Sequence, residues 1–401
     1  MASNLTTLDF LYKKTYPKGI GEAAMRMHPT LRDIRKEGGL VGSSYDYSVL
    51  YGNPQGVQNG ELDISALNIT SSYGEQFVMS SIPLKYGVVH LHGPSILAAN
   101  GDGALLSLVK SQTKGVADTL GADLGFDLFR DGTGNRGQRA SISTNTITLA
   151  TASDTRHFRV GMELIASANA DGSSPRTGAA IVASISISAG TVTVDSAAGI
   201  TSFADNDYLF RITSASNGLA GFQKIVPLTA PTSGDSFRSV DRSVFVELLA
   251  GSRLDNTALT IDEAAADVAM QISLLGKSAD SLRINPLNYQ ALANRTNAQR
   301  IYSGGGKGEV GFESLIINVA GATALKVTAD PDCPMDEGRV MTMADWCIKH
   351  RGKQMIHDTG DAGAPKVQQV GNTDHAEVRN RFVGDVVCTD PAGSGVFSIA
   401  S

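Results

Sequence analysis

The sequence predicts an α+β protein of several cored units, and three observations carry that prediction. Hydrophobic residues make up 42% of the 401 positions and charged residues only 18%, with 43 glycines. This is the balance of an ordered, turn-rich chain with much β structure, not of a disordered one. Apolar residues alternate along extended runs over much of the chain, while one long stretch carries them at helical spacing.

Residues 1–44 form an arm. Leu8, Phe10 and Leu11 make a short amphipathic stretch before Pro17 and Gly19. A second stretch, Ala23 to Lys36, places Met25, Met27, Leu31 and Ile34 at mixed helical spacing. So few apolar residues cannot core themselves, and the arm is expected to dock elsewhere. Tyr45, Tyr47, Val49 and Tyr51 then alternate as one strand face requires. Beyond the turn signals Gly52-Asn-Pro-Gln-Gly56 and Asn59-Gly60, a second extended run reaches from Gln76 to Leu91. The two flanks are expected to pair, leaving a long polar hairpin that needs a neighbour for stability.

The clearest helix follows. Asn100 and Asp102 supply caps, Leu105, Val109, Val116, Leu120, Leu124 and Leu128 mark one face, and Asp131-Gly132 stops it. Its length would be about 40 Å at 1.5 Å per residue. Residues 138–212 change character, with no lysine or cysteine and Pro175 as the single proline. The β-branched runs Thr146–Leu149, Ile181-Val182, Ile185–Ile187, Thr191–Val194 and Tyr208–Phe210 recur between turn clusters. Their spacing is that of a small all-β module inserted into the chain. Further on, Thr260-Ile-Asp-Glu263 is a capping box opening a helix through Ile272 and Leu275, closed by Gly276. Asn285-Pro286 starts another, with proline in its first turn. The chain ends in short strands and glycine turns, and no solenoid repeat is present.

Charge and cysteine usage narrow the function. The net charge of -6 argues against gripping nucleic acid along the chain, although it suits a container whose inner wall does not adhere to its contents. Cys333, Cys347 and Cys388 are odd in number and widely spaced, as free thiols of a reducing compartment are. The N-terminus lacks an apolar core of signal-peptide length, and no apolar run is long enough to span a membrane. These features predict a protein made in cytosol, or in a particle assembled there.

Candidate chemistry weakens on inspection. Gly304–Gly308 has phosphate-friendly glycines, but Ile301 and Gly308 stand where a P-loop needs glycine and Ser or Thr. Asp131-x-Thr133-x-Asn135 resembles the start of a calcium loop, yet the glycine falls at Gly137 and Ile142 replaces the closing carboxylate. His90 and His92 share a strand face without an identifiable third ligand. Cys347 stands three residues from His350, but no third group is identifiable to orient a base. The basic arm residues Lys13, Lys14, Lys18, Arg26, Arg32, Arg35 and Lys36 are interleaved with Glu22, Asp33 and Glu37, favouring protein contact over nucleic acid. No catalytic, metal or cofactor residue is assigned, and the chain is expected not to be an enzyme.

Four segments, taken in order, resemble the major capsid proteins of tailed bacteriophages, which have the Hong Kong 97-type fold. They are Leu128-Phe-Arg-Asp-Gly-Thr-Gly-Asn-Arg-Gly137 after the long helix, Leu249–Leu254 with Leu259–Glu263, Leu282–Leu292, and Ala376–Gly384 with Val387–Pro391. The resemblance implies an N-terminal arm over 1–44, an extended loop over 45–80, and a peripheral domain with a spine helix over 81–137 and 339–370. It further implies an inserted β domain at 138–212 and an axial domain over 213–338 and 371–401. By that reading the chain self-assembles into pentameric and hexameric capsomers of an icosahedral shell. The shell encloses phage double-stranded DNA without reading its sequence. A scaffolding protein, a portal and decoration proteins are the implied partners, and the virion, assembled in the host bacterial cytoplasm, is the implied location. Leu8, Phe10, Arg32, Arg35, Pro54, Gln55, Asn59, Gly305 and Lys307 are the inter-subunit contact candidates. No lysine–asparagine crosslinking pair can be matched. Two alternatives stay open: a cargo-enclosing, encapsulin-like nanocompartment shell of the same fold, and a β-rich carbohydrate-binding or tail protein built on 138–212.

Overall fold

The computed structural model describes residues 28–52, 56–57, 71, 73–92, 102–296, 315–319, 324–352, 355–358, 367–369 and 375–400. The chain divides into two compact units: Asp123–Lys224, and Met1–Ala122 together with Ile225–Ser401.

Helix α1 (Pro29–Asp33) is shorter than the predicted stretch to Lys36, because Ile34 turns extended and strand β1 (Arg35–Glu37) follows. Strands β2 (Tyr45–Gly52) and β3 (Tyr73–Met79) pair antiparallel, with Tyr47 opposite Phe77 and their rings stacked 5.4 Å apart. The predicted single run from Gln76 to Leu91 breaks at residues 80–83, where Pro83 lacks the N–H to continue a ladder. Residues beyond it form β4 (Leu84–His92), which pairs in a different sheet. Helix α2 (Asp102–Phe129) follows. Gly87 of β4 leaves room for Val116 of α2: a Cβ there would lie 2.4 Å from Val116 Cγ1.

The smaller unit begins in the last turns of α2, where every residue from 123 to 129 is buried. Its strands are β5 (Asn135–Ser143), β6 (Thr146–Leu149), β7 (Glu163–Ser167), β8 (Ala180–Ser186), β9 (Thr191–Val194) and β10 (Tyr208–Arg211), and they close as a barrel in the order β10-β5-β6-β9-β8-β7. Ile147, Leu149, Val192 and Val194 point inward on alternate positions, joined by Phe158, Leu164, Val182 and Leu209. Closure removes the free edges that a small open sheet would expose. Asp123 accepts hydrogen bonds from Arg136 Nη2 at 2.7 Å and from Arg211, and Asp127 accepts the Leu219 amide at 3.1 Å.

The larger unit resumes with β11 (Ser236–Phe237), β12 (Val240–Asp241), α3 (Val246–Ala250), β13 (Ser252–Leu254), α4 (Ile261–Leu274), β14 (Ser281–Ile284) and α5 (Pro286–Thr296). It continues through β15 (Leu315–Ile317), β16 (Leu325–Ala329), β17 (Glu337–Met341), β18 (Trp346–His350), β19 (His357–Asp358), β20 (Val367–Gln369), β21 (His375–Cys388) and β22 (Gly395–Ser398). Sheet I runs β1-β18-β21-β19, with β20 and β4 also paired to β21. Sheet II runs β13-β22-β17-β14-β16-β15. On sheet II, Ala265, Val268 and Ile272 of α4 pack with Leu282, Val340 and Phe397 in one core. The Thr260–Glu263 capping box forms as its spacing predicts, and the Asn285 side chain accepts the Leu287 amide at 3.1 Å to start α5.

The sheets divide the chain differently from the boundaries drawn at 339 and 371. The first boundary falls inside β17, which belongs with β22 in sheet II, whereas β21 belongs with β18 and β4 in sheet I. The chain crosses from sheet II to sheet I after β17 and back after β21, at points without a shift in composition.

Candidate assembly surface

Among the contact candidates, Leu8, Phe10, Pro54, Gln55, Asn59, Gly305 and Lys307 lie outside the described residues. Arg32 and Arg35 are described, and their side chains point outward, 62% and 52% exposed. Each leans on a carboxylate of its own segment, Arg32 on Asp33 at 3.1 Å and Arg35 on Glu37 at 2.7 Å. Leu31 and Ile34 beside them are buried, so this part of the arm docks on its own chain.

A surface that the sequence reading did not single out lies on the ribbon of β4 and β21. In a strand, residues two apart share a face. Leu84, Tyr86, Val88 and His90 all stand exposed on one face of β4. The register sets Val383 opposite Leu84, Arg381 opposite Tyr86, Arg379 opposite Val88 and Glu377 opposite His90. Arg379 pairs with Glu377, and His90 Nδ1 lies 3.8 Å from the same carboxylate. The other face carries the buried Val89, Val378, Asn380 and Phe382. A half-exposed sheet ordinarily turns polar residues outward. Here the outward row is apolar, flanked by two guanidinium groups. Leu84, Tyr86 and Val88 thus stand side by side, each more than a third exposed. The alternation was legible in the sequence, but Val89 makes the opposite face apolar too, so spacing alone could not say which face is covered.

The β2–β3 hairpin carries the opposite charge. From Tyr45 to Ser80 the chain has Asp46, Glu61, Asp63 and Glu75 and no Lys, Arg or His. The hairpin is held at its base by Arg238, which donates to Tyr47 Oη at 2.9 Å, to Asp385 Oδ2 at 2.6 Å and to the Val386 carbonyl at 2.8 Å. Arg238 and Asp385 are both buried, and burial pushes the Tyr47 hydroxyl pKa up to about 12, so it stays protonated.

Asp131 Oδ1 accepts the Thr133 amide at 3.0 Å and its hydroxyl at 2.6 Å, and Asn135 Oδ1 accepts the Gly137 amide at 3.0 Å. These oxygens hold the turn that ends α2. Cys347 and His350 lie on opposite faces of β18, being an odd number apart, and burial pushes the Cys347 thiol up, away from a reactive thiolate. His90 is exposed, while the His92 side chain and the 304–308 glycine loop lie outside the described residues. Among the described residues, no group of three or more His, Cys, Asp or Glu is arranged to hold a metal, and no helix is long and apolar enough to cross a membrane.

No protein-family model and no curated protein matches the chain. Among solved structures, the chain is similar to the capsid asymmetric unit of cyanophage A-1(L), at 10% identity and a TM-score of 0.52, covering 97% of this chain and 95% of that one. It is also similar to the capsid of a native GTA particle, at 10% identity, a TM-score of 0.47 and coverage of 97% and 94%. A third similar structure is from Mycobacterium phage Adephagia, at 11% identity, a TM-score of 0.43 and coverage of 100% and 99%. The likeness to the cyanophage capsid shows the fold: this is an α+β chain with the Hong Kong 97-type architecture that the sequence resemblance implies.

Proposed function

We propose that the chain is the major capsid protein of a tailed phage, a structural subunit whose copies close into an icosahedral shell around double-stranded DNA. The observation that carries this reading is the shared fold with a phage capsid subunit over 97% of the chain. The work of such a protein is association, and the surfaces described above support a way to do it. The acidic loop of one copy, residues 45–80, lies across the cationic and apolar β4–β21 ribbon of the next. Burying an exposed Tyr or Leu there contributes about 1.5–3 kcal/mol per side chain, and opposite charges orient the docking. The arm, through Leu8 and Phe10, makes a second overlap, while sheet II with its helices rings the capsomer centre, with Gly305 and Lys307 nearby. The barrel of the smaller unit is an inserted domain. Pentameric and hexameric capsomers form in the host cytoplasm with a scaffolding protein and a portal, and decoration proteins add to the outside. Catalysis plays no part.

Negative-stain microscopy with light scattering on the purified full-length chain tests the reading. Closed shells or ring-shaped capsomers are expected. A monodisperse monomer that persists across salt, concentration and crowding with a scaffolding protein supplied would overturn it.

A further inference from the structure

Sheets I and II are joined directly by two crossovers that lie side by side, residues 342–345 leaving β17 and 389–394 entering β22. Thr389 donates its amide to the Asp345 carbonyl at 3.0 Å, Trp346 Nε1 donates to Ser394 Oγ at 2.9 Å, and Thr342 Oγ1 donates to the Gly393 carbonyl at 2.9 Å. A cleft of about 290 Å³ opens beside them, lined by Lys277, Thr342, Asp345 and Asp390. Two adjacent chain segments next to open space are the geometry of a hinge, since neighbouring attachments resist translation but not rotation about their common line.

A third tie is made by the segment from His28 to Gly42. At sheet II, His28 pairs with Asp332, the Thr30 amide donates to Asp330 Oδ2 at 2.8 Å, and Asp33 Oδ2 accepts from Arg283 Nη1 at 3.1 Å. At sheet I, β1 runs parallel to β18 with Arg35 opposite Cys347 and Glu37 opposite Lys349, and Lys349 donates to Glu37. The Leu40 amide reaches the His350 carbonyl at 3.4 Å, and Arg351 donates to the Gly42 carbonyl. Leu31, Ile34 and Leu40 are buried along the way. The two kinds of tie hold opposite ends of β14. The Asp280 amide donates to the Met341 carbonyl at the crossover end, while the Asp330 amide donates to the Ile284 carbonyl at the arm end. At 3.3 Å per residue these ends are about 10 Å apart.

We propose that residues 28–42 are a strap that locks sheet I against sheet II, and that the sheets pivot about the paired crossovers only when the strap lets go at one end. Each end is then coupled to the other, because an end released from its sheet leaves the segment anchored on one side alone.

Hydrogen exchange read by mass spectrometry on the full-length, unassembled chain tests this, and its outcome does not depend on whether shells form. Asp33→Asn removes the carboxylate from Arg283 at the sheet II end. Exchange of residues 35–40, whose own bonds go to sheet I, is expected to speed at least tenfold, with barrel residues 191–194 unchanged. Glu37→Gln at the other end is expected to speed residues 29–34 by a similar factor. Faster exchange confined to the mutated end in both variants overturns the strap. If Asp33→Asn does not fold, shown by loss of protection at 268–272 of α4 in the same unit, Glu37→Gln decides alone, because its side chain is 31% exposed. Unchanged exchange at 29–34 in that variant overturns the proposal.

Discussion

Single residues set the tolerances of this fold. Arg238 and Asp385 are a buried pair, and removing one partner leaves an uncompensated charge. Arg238→Met is expected to cost about 3–5 kcal/mol in urea unfolding of the larger unit. His157 is a different case. Burial, and then Arg130, hold its pKa well below the ordinary value, with Arg136, Arg156 and Asp154 also facing it. The folded state therefore binds fewer protons than the unfolded state below about pH 6.5. The barrel unit is expected to be most stable above that pH and to lose stability as pH falls from there toward the folded pKa. Thermal melts at pH 7.5 and 5.5 should show the loss, and His157→Gln should reduce it. Neither residue was legible beforehand, since an arginine at 238 and a histidine at 157 acquire their meaning from partners that only the fold supplies. Gly338 makes the same point: a Cβ there would lie 2.2 Å from the Phe397 ring, and nothing in its flanking sequence marks it.

Elements were legible where their signals are local. Thr260 and Glu263 announce α4 by spacing, Asn285-Pro286 announces α5, and the Thr-x-Thr-x pattern announces β9. Thr260→Ala is expected to cost about 1 kcal/mol, measured as a lower urea midpoint with an unchanged slope. Elements whose partners are far away were misread or missed. Strand β1 looked helical because Leu31 and Ile34 keep helical spacing, yet its pairing with β18, more than 300 residues on, wins. Strand β21 binds β4, β18, β19 and β20 at once, so its neighbours could not be read from its own sequence. The candidate surface inherits that limit. The row Leu84, Tyr86, Val88 was visible, but only the burial of Val89 and Phe382 shows that this row is the outward one.

At the scale of the whole molecule, the question is whether the exposed ribbon exists for the chain itself or for its neighbour. A lone subunit gains little from Tyr86, which is 55% exposed, and surface substitutions of that kind usually change stability by no more than about 0.5 kcal/mol. An assembly that covers the ribbon gains the full burial, repeated at every copy. The two explanations part under charge reversal. Arg379→Glu with Arg381→Glu should abolish shell formation, because four loop carboxylates would then meet acids. It should also lower the subunit's urea midpoint through the lost Arg379–Glu377 pair, so rescue by the opposite reversal is what separates the two explanations. Asp46→Lys with Glu75→Lys should fail in the same way alone and restore assembly when combined with the first pair. Raising salt should weaken the wild-type contact, since charges at a solvent-exposed rim are screened over about 8 Å at physiological ionic strength. Shell yield by light scattering reads all three. If the reversed ribbon assembled as well as the wild type, the loop would dock elsewhere and the apolar row would need a different partner.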